Sequence, residues 1–343
     1  MPLRIGLGLF TGQVPPGAAR SFHEEYREII DLCRLAEDSG FDSVWVSEHH
    51  GAADGYLPSL AVLLGAIAAV TRRVALGTGV VLAPFQHPLR FAEDCAVLDQ
   101  LAGGRLIVGL ALGWRDEEFR AFGIPVSERV ARTVELLTLC RLAWSGQRFT
   151  FGGKLGNFDQ VAVTPRPAGP IPIWLGGTVD AAISRAGRLA DGFLATRPTL
   201  PRMEQAVRLF DGAARAGGRD PTSLDIALLQ NAFVTADGRT PEHVIEGAWH
   251  QLGTYAVWGE GADTPGRPFR LPTLDRDAVA ARLIEGSPDQ VLERLAPWIR
   301  ALGSRRLHVI FRLHYPGMTL DQAAPAVELF ASRVIPELRR LAV

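Results

Sequence analysis

The sequence predicts an α/β fold, a single (β/α)8 TIM barrel spanning residues 1–343. Short β-like runs alternate with longer amphipathic runs along the whole chain. The β-like runs are apolar on both faces, as parallel strands covered by helices read. No Gly-x-Gly-x-x-Gly turn follows the first of them, and about eight β units can be counted, which favours a barrel over a doubly wound sheet.

Taken in order, "RIGLGLF" (4–10) is followed by a helix over 22–39, "SVWV" (43–46) by one over 59–71, "RVALGTGVVL" (73–82) by 88–101, and "RLIVGLAL" (105–112) by 127–144. "IPIWLGG" (171–177) leads to 180–189, "GFLAT" (192–196) to 201–217, and "LDIALLQNAFV" (224–234) to 241–252. A helix over 287–302 precedes "RLHVIF" (306–311), and 319–341 closes the chain. Two stretches interrupt the pattern, 149–170 and the Gly/Pro-rich 258–277. Loops of about 20 residues are uncommon in compact domains and are usually functional. Both are expected as insertions at the C-terminal mouth, the second as a mobile lid.

The totals narrow the function. With 47% apolar residues and a formal net charge of −1, the chain can bury a large core and lacks the basic surface that nucleic acid or an anionic membrane selects. A small-molecule partner is expected. Cys33, Cys95 and Cys140 form no CxxC pair and read as buried hydrophobes of a reducing cytoplasm. "MPLRIGLGLFTG" lacks the features of a signal peptide, and no apolar run is long enough to span a bilayer, so a cytoplasmic enzyme is expected.

Barrel active sites lie at the C-terminal ends of the strands. There the sequence places Glu48, His49 and His50 on the second strand, Gly79 and Val80 on the third, Leu112 to Trp114 on the fourth, and Gly176, Gly177 and Thr178 on the fifth. "EHH" reads as a solvated strand end, a metal site or a catalytic group. Alternation along a strand turns His49 and His50 to opposite faces, which weighs against their sharing an ion; no metal is expected. "LGGTVDAAISRAG" places glycines and a hydroxyl ahead of a helix, a phosphate-binding geometry and equally an ordinary turn.

"FDSVWVSEHH", "VALGTGVVLAPFQHPLRFAEDCAVLDQLAGGRLIVGLALGW", "EEFRAFG", "PIWLGG" and "RAGRLADGF", with the ending "HVIFRLHYPGMTLDQ", together resemble the bacterial luciferase-like monooxygenase superfamily over nearly the whole chain. The resemblance implies a barrel binding a flavin, or in some branches a deazaflavin, at its mouth. "EHH" followed by "HPLRFAEDCAVLDQL" is more similar to the luciferase-type, FMN-using branch. His49 matches the family's catalytic histidine and Glu48 the acid before it. Gly79 and Val80 fall where the family has a non-prolyl cis peptide behind the isoalloxazine. Leu112 stands where luciferase has a basic side chain for the phosphate, which leaves that task to backbone groups of Gly176, Gly177 and Thr178, with Arg185 nearby. Trp114 counts with the cofactor site, His50 and His87 are substrate-pocket candidates, and Trp45 and Phe85 join Trp114 as candidates for an apolar mouth. Arg90, Glu93, Asp94 and Asp99 are assigned to a subunit contact of a homodimer.

The resemblance thus implies a two-component monooxygenase. Reduced FMN from a separate NAD(P)H:flavin reductase would activate O2 as the C4a-hydroperoxide and oxygenate an organic substrate. The alternatives are a deazaflavin (coenzyme F420)-dependent oxidoreductase and a non-catalytic flavin-binding protein.

Overall fold

The computed structural model describes residues 3–259, 273 and 275–342. β1 (Arg4–Phe10) leads to α1 (Phe22–Ser39), β2 (Ser43–Val46) to α2 (Leu60–Val70), and β3 (Ala75–Thr78) with the two-residue β4 (Val81–Leu82) to α3 (Pro88–Ala102). β5 (Leu106–Ala111) is followed by α4 (Asp116–Ala121) and α5 (Arg129–Trp144). The hairpin β6 (Phe149–Gly153) and β7 (Gly156–Val161) precedes β8 (Ile173–Gly176) and α6 (Asp180–Leu189). β9 (Gly192–Thr196) and α7 (Leu200–Ala216) lead into β10 (Asp225–Val234) and α8 (Glu242–Gly259). The chain ends through α9 (Arg276–Ala280), β11 (Ile284–Gly286), α10 (Pro288–Leu302), β12 (Arg306–Arg312), α11 (Leu320–Leu329) and α12 (Ile335–Leu341).

Eight of the ten strands in the main sheet, β1, β2, β3, β5, β8, β9, β10 and β12, pair in parallel and close from β12 onto β1. This is the barrel the sequence predicts. Capping fixes several helix starts: Ser21 with Glu24, Ser287 with Gln290 and Thr319 with Gln322 each satisfy exposed amides reciprocally.

Three details differ from the expectation. Residues 149–161 are not irregular: Phe149 and Phe151 pair with Val161 and Phe158 in an antiparallel hairpin. It lies against α5, where Glu135 accepts the Leu155 N–H (2.9 Å) and Glu128 meets Lys154 (3.3 Å), so it decorates the outside of the barrel. Second, α8 continues past residue 252 to Gly259. Third, the final helix is broken by a π turn at Phe330–Val334, just before Pro336, whose ring nitrogen cannot donate back into an α-helix. Of the expected lid, 258–277, residues 260–272 and 274 lie outside the described residues, while its two ends belong to α8 and α9.

The barrel interior is filled by two stacked indoles, Trp45 and Trp174, with ring centres 5.1 Å apart. Trp45 is therefore a core residue and not part of the mouth. Its Nε1 donates to Ser43 Oγ (2.7 Å), and Ser43 Oγ lies 2.6 Å from His308 Nε2. Burial pushes the His308 pKa down to about 3, so the ring is neutral and accepts the Ser43 hydroxyl. Both indoles fit because small residues face them. A Cβ on Gly77 would overlap the Trp45 ring, and one on Gly192 would come 2.6 Å from Trp174. Gly77→Ala is expected to cost about 3 kcal/mol, seen as a lower urea midpoint at unchanged slope; an unshifted midpoint would refute this packing.

Candidate functional site

Past the end of β2 the chain keeps the ladder for one more bond, Ser47 N–H to Phe10 O (3.1 Å), and then turns three polar side chains in different directions. His49, 4% exposed, points its Nδ1 at Glu118 Oε1 (2.9 Å). The same oxygen accepts the His50 N–H (2.8 Å) and faces Arg115 Nη1 (3.4 Å). Arg115 also donates to His50 O (3.0 Å), and its guanidinium lies 3.9 Å over the Trp258 ring. Burial alone would push the Glu118 carboxyl up. The hydrogen bond and charge of His49, the His50 amide and Arg115 more than offset it and hold the group below the usual carboxylate range. Glu118 is thus an ionised carboxylate orienting an imidazole, the base–orienter arrangement of acid–base catalysis.

Aromatic rings wall this pair. Tyr56, Trp258, Tyr255 and Trp114 stand 4.8, 5.0, 5.5 and 6.0 Å from the His49 ring centre, most of them edge-on. The Tyr56 hydroxyl donates to Ser47 Oγ (3.0 Å) and lies 2.8 Å from the Tyr255 hydroxyl. Two of these residues, Tyr255 and Trp258, are carried by α8, which seats across the mouth. Asp54 helps to seat it, accepting from His250 Nε2 (2.8 Å) and from Gln13 Nε2 (2.6 Å).

The other expected residues separate into two groups. Glu48 does not meet His49: its Oε2 accepts the Leu82 N–H (2.9 Å), and its Oε1 meets His50 Nε2 (2.6 Å) and Gln86 Nε2 (3.2 Å). It ties the end of β2 to the β3–β4 connection, and it fixes His50, which packs on Phe122 (4.7 Å) and Phe85 (5.9 Å) away from His49. His87 caps α3, accepting the Arg90 N–H (3.4 Å), and faces Phe158 of the hairpin (6.2 Å). Neither histidine joins the His49 cluster.

The second group comes together. The Gly79–Val80 peptide is cis, as the resemblance implies. A Cβ on Gly79 would come 2.5 Å from Leu9, and one on Gly176 3.3 Å from Val80, so Gly79 lets the end of β3 approach β1 and Gly176 lets β8 approach the Gly79–Val80 peptide. A small cavity beyond them is lined by Leu112, Thr133, Gly176, Ala182 and Arg185, at the start of α6. The residue before α6, Val179, offers no side-chain cap, so its first amides are left to a ligand or solvent. Thr178 O accepts from Arg202 (2.6 Å). The donor set suits the phosphate of a flavin or deazaflavin, and the partnerless buried Glu118 Oε2 and Arg115 Nε show polar capacity still open beside His49.

Glu118 and Arg115 are not among the residues the sequence singles out, although Glu118 lies within "EEFRAFG" (117–123). The available signal was three acids in the first turn of a helix just after the fourth strand. Among the described residues no three His, Cys, Asp or Glu side chains group as metal ligands, and no helix is long and apolar enough to cross a membrane.

Comparison with known proteins bears on the family and the fold. Residues 4–306 match the family model described as luciferase-like monooxygenase. An F420-dependent glucose-6-phosphate dehydrogenase of Nakamurella multipartita is 30% identical, over 99% of this chain and 98% of that protein. A 5,10-methylenetetrahydromethanopterin reductase of Methanolobus tindarius is 27% identical over 78% of this chain and 70% of its own length. The crystal structure of the monooxygenase RslO1 from Streptomyces bottropensis superposes with a TM-score of 0.85 at 27% identity, covering 98% of this chain and 99% of that one. All three are named as oxidoreductases, two of them for reductive or dehydrogenating chemistry. With its barrel closed, its mouth built on His49 and nearly nine-tenths of its length matched, the chain belongs to the luciferase-like monooxygenase family.

Proposed function

We propose that this protein is a coenzyme F420-dependent oxidoreductase that interconverts a hydroxyl and a carbonyl on a small organic substrate, a shift from the FMN monooxygenase that the motifs alone favoured. The observation that carries it is the His49–Glu118 pair, which suits taking a proton from a hydroxyl while its carbon is oxidised. The name of the Nakamurella multipartita relative supports the same cofactor. When bound, the deazaflavin supplies the hydride acceptor or donor. Gly79 and Val80 would lie against its ring system, and Gly176, Gly177 and Arg185, beside Leu112, would hold its phosphate. His49 takes or returns the substrate proton, Glu118 keeps the imidazole in one orientation, and Trp114, Tyr255 and Trp258 exclude water around it.

A second reading, the FMN-dependent monooxygenase supplied by a separate reductase, is favoured by the likeness to RslO1. Titration of the protein with F420 and with reduced FMN separates them. Tighter binding of F420 by about 10-fold or more, with bleaching of the oxidised cofactor by some member of a hydroxyl-substrate panel, is expected. Preference for reduced FMN with oxygen-dependent product would overturn the proposal. The charge-free outer face of α2 and the exposed Val62, Val70, Val97 and Leu101 support the expected homodimer, which light scattering would measure.

A further inference from the structure

Across the barrel from β3, the ends of β9, β10 and β12 bring cationic and amide side chains to the mouth. Asn231 and Arg312 are direct neighbours in the β10–β12 ladder. Arg197 follows β9, its N–H donating to Leu229 O (3.1 Å) next to them. Arg312 is 4% exposed and Asn231 2%, yet among the described residues Arg312 Nε and Asn231 Oδ1 have no hydrogen-bond partner. Among the ion pairs of the described residues, none includes Arg197 or Arg312. Burial first, and the Arg312 charge second, depress the Arg197 pKa, so the two guanidiniums share one field.

Such an arrangement works against the folded protein taken alone. Two like charges, Arg312 buried and Arg197 half-buried, stand together with no carboxylate in ion-pair range among the described residues, and Arg197 sits at φ 44°, a left-handed backbone that residues other than glycine rarely adopt. Backbone strain of this kind gathers at ligand clamps. The site also adjoins the reacting region: the Arg197 guanidinium stands 5.7 Å over the Tyr255 ring, and Tyr255 contacts both His49 and Tyr56.

We propose that Arg197 and Arg312, with Asn231, form a clamp for an oxyanion, so that the substrate is a small organic molecule carrying a phosphate or carboxylate group. Guanidinium forks match the paired oxygens of such groups, and the bound anion offsets the repulsion between the arginines. The identity of the anion as substrate rests on the oxidoreductase reading above; the clamp itself rests on the arginines. An anionic group of the cofactor is the other source of the same chemistry.

The test titrates inorganic phosphate into cofactor-saturated protein, so that the cradle at α6 is already filled, and compares wild type with Arg197→Met, Arg312→Met and Arg312→Lys. Loss of a charged hydrogen-bonding group is worth about 10-fold or more in affinity. Phosphate affinity is expected to fall by at least that much in both Met variants and to recover in part in Arg312→Lys. Cofactor Kd should stay within about 3-fold, and the ligand-free melting temperature should not drop, because the variants remove a repulsion. Unchanged phosphate affinity in the Met variants, or cofactor affinity falling in parallel with it, would overturn the substrate clamp. Intact phosphate binding in a protein that never turns over F420 would instead refute the cofactor assignment and leave the clamp standing.

Discussion

Replacing His49 by alanine is expected to lower turnover by about 10²-fold or more, the usual scale for losing an acid–base group, while most cofactor affinity survives. The reasoning starts from partners. His49 Nδ1 is committed to Glu118, and among the described residues nothing is bonded to Nε2, the nitrogen left for chemistry. Its ring is held edge-on by Tyr56 and Tyr255, so little of its freedom remains to be lost when substrate arrives. The groups assigned to the cofactor, Gly79, Val80, Gly176 and Arg185, contact other parts of the mouth, and their geometry does not run through His49. Steady-state rates with a substrate from the panel, together with cofactor titrations, check both halves. Equal turnover by the variant would remove His49 from the chemistry, and loss of cofactor binding in proportion to rate would make it a cofactor ligand.

What was legible in the sequence follows from what kind of signal each feature leaves. The barrel was readable because strands buried on both faces give long apolar runs, broken in the barrel strands only here and there, as by His308 in β12 and Gln230 and Asn231 in β10. The position of His49 was readable because strand ends carry function in this fold. Its partner was not. Adjacency in sequence pointed to Glu48, yet consecutive side chains at a strand end diverge, and the structure gives Glu48 to the Leu82 amide, Gln86 and His50. The acid that reaches His49 comes from 69 residues further on, a pairing that only closure of the barrel creates. Trp45 failed for a related reason: an aromatic at the end of an apolar run looks like a mouth residue until the glycines at 77 and 192 reveal room for two indoles inside. The clamp arginines left no motif at all, because Arg197, Asn231 and Arg312 come from three strands.

Glu118→Gln is expected to lower turnover by about 10- to 100-fold, whereas Glu48→Gln should act mainly on stability and on the β3–β4 connection. The carboxylate of Glu118 does two things that an amide of the same shape cannot. It takes three donors on one oxygen, His49 Nδ1, the His50 N–H and Arg115 Nη1, and it supplies the negative charge that stabilises an imidazolium when His49 accepts a proton. In the glutamine variant the imidazolium loses that support, so turnover should fall while substrate and cofactor affinities stay near those of the wild type, a split that a purely structural role would not produce. Stability gives an independent check. The folded Glu118 pKa lies below its unfolded value, so the stabilisation it contributes is present above the unfolded glutamate value of about 4.3 and is lost as pH falls through the folded one. The stability gap between wild type and Glu118→Gln, measured by urea unfolding, should therefore be widest near neutral pH and close progressively below about pH 4. A gap that is flat across that range, combined with rates like those of Glu48→Gln, would mean that Glu118 only fills space behind His49.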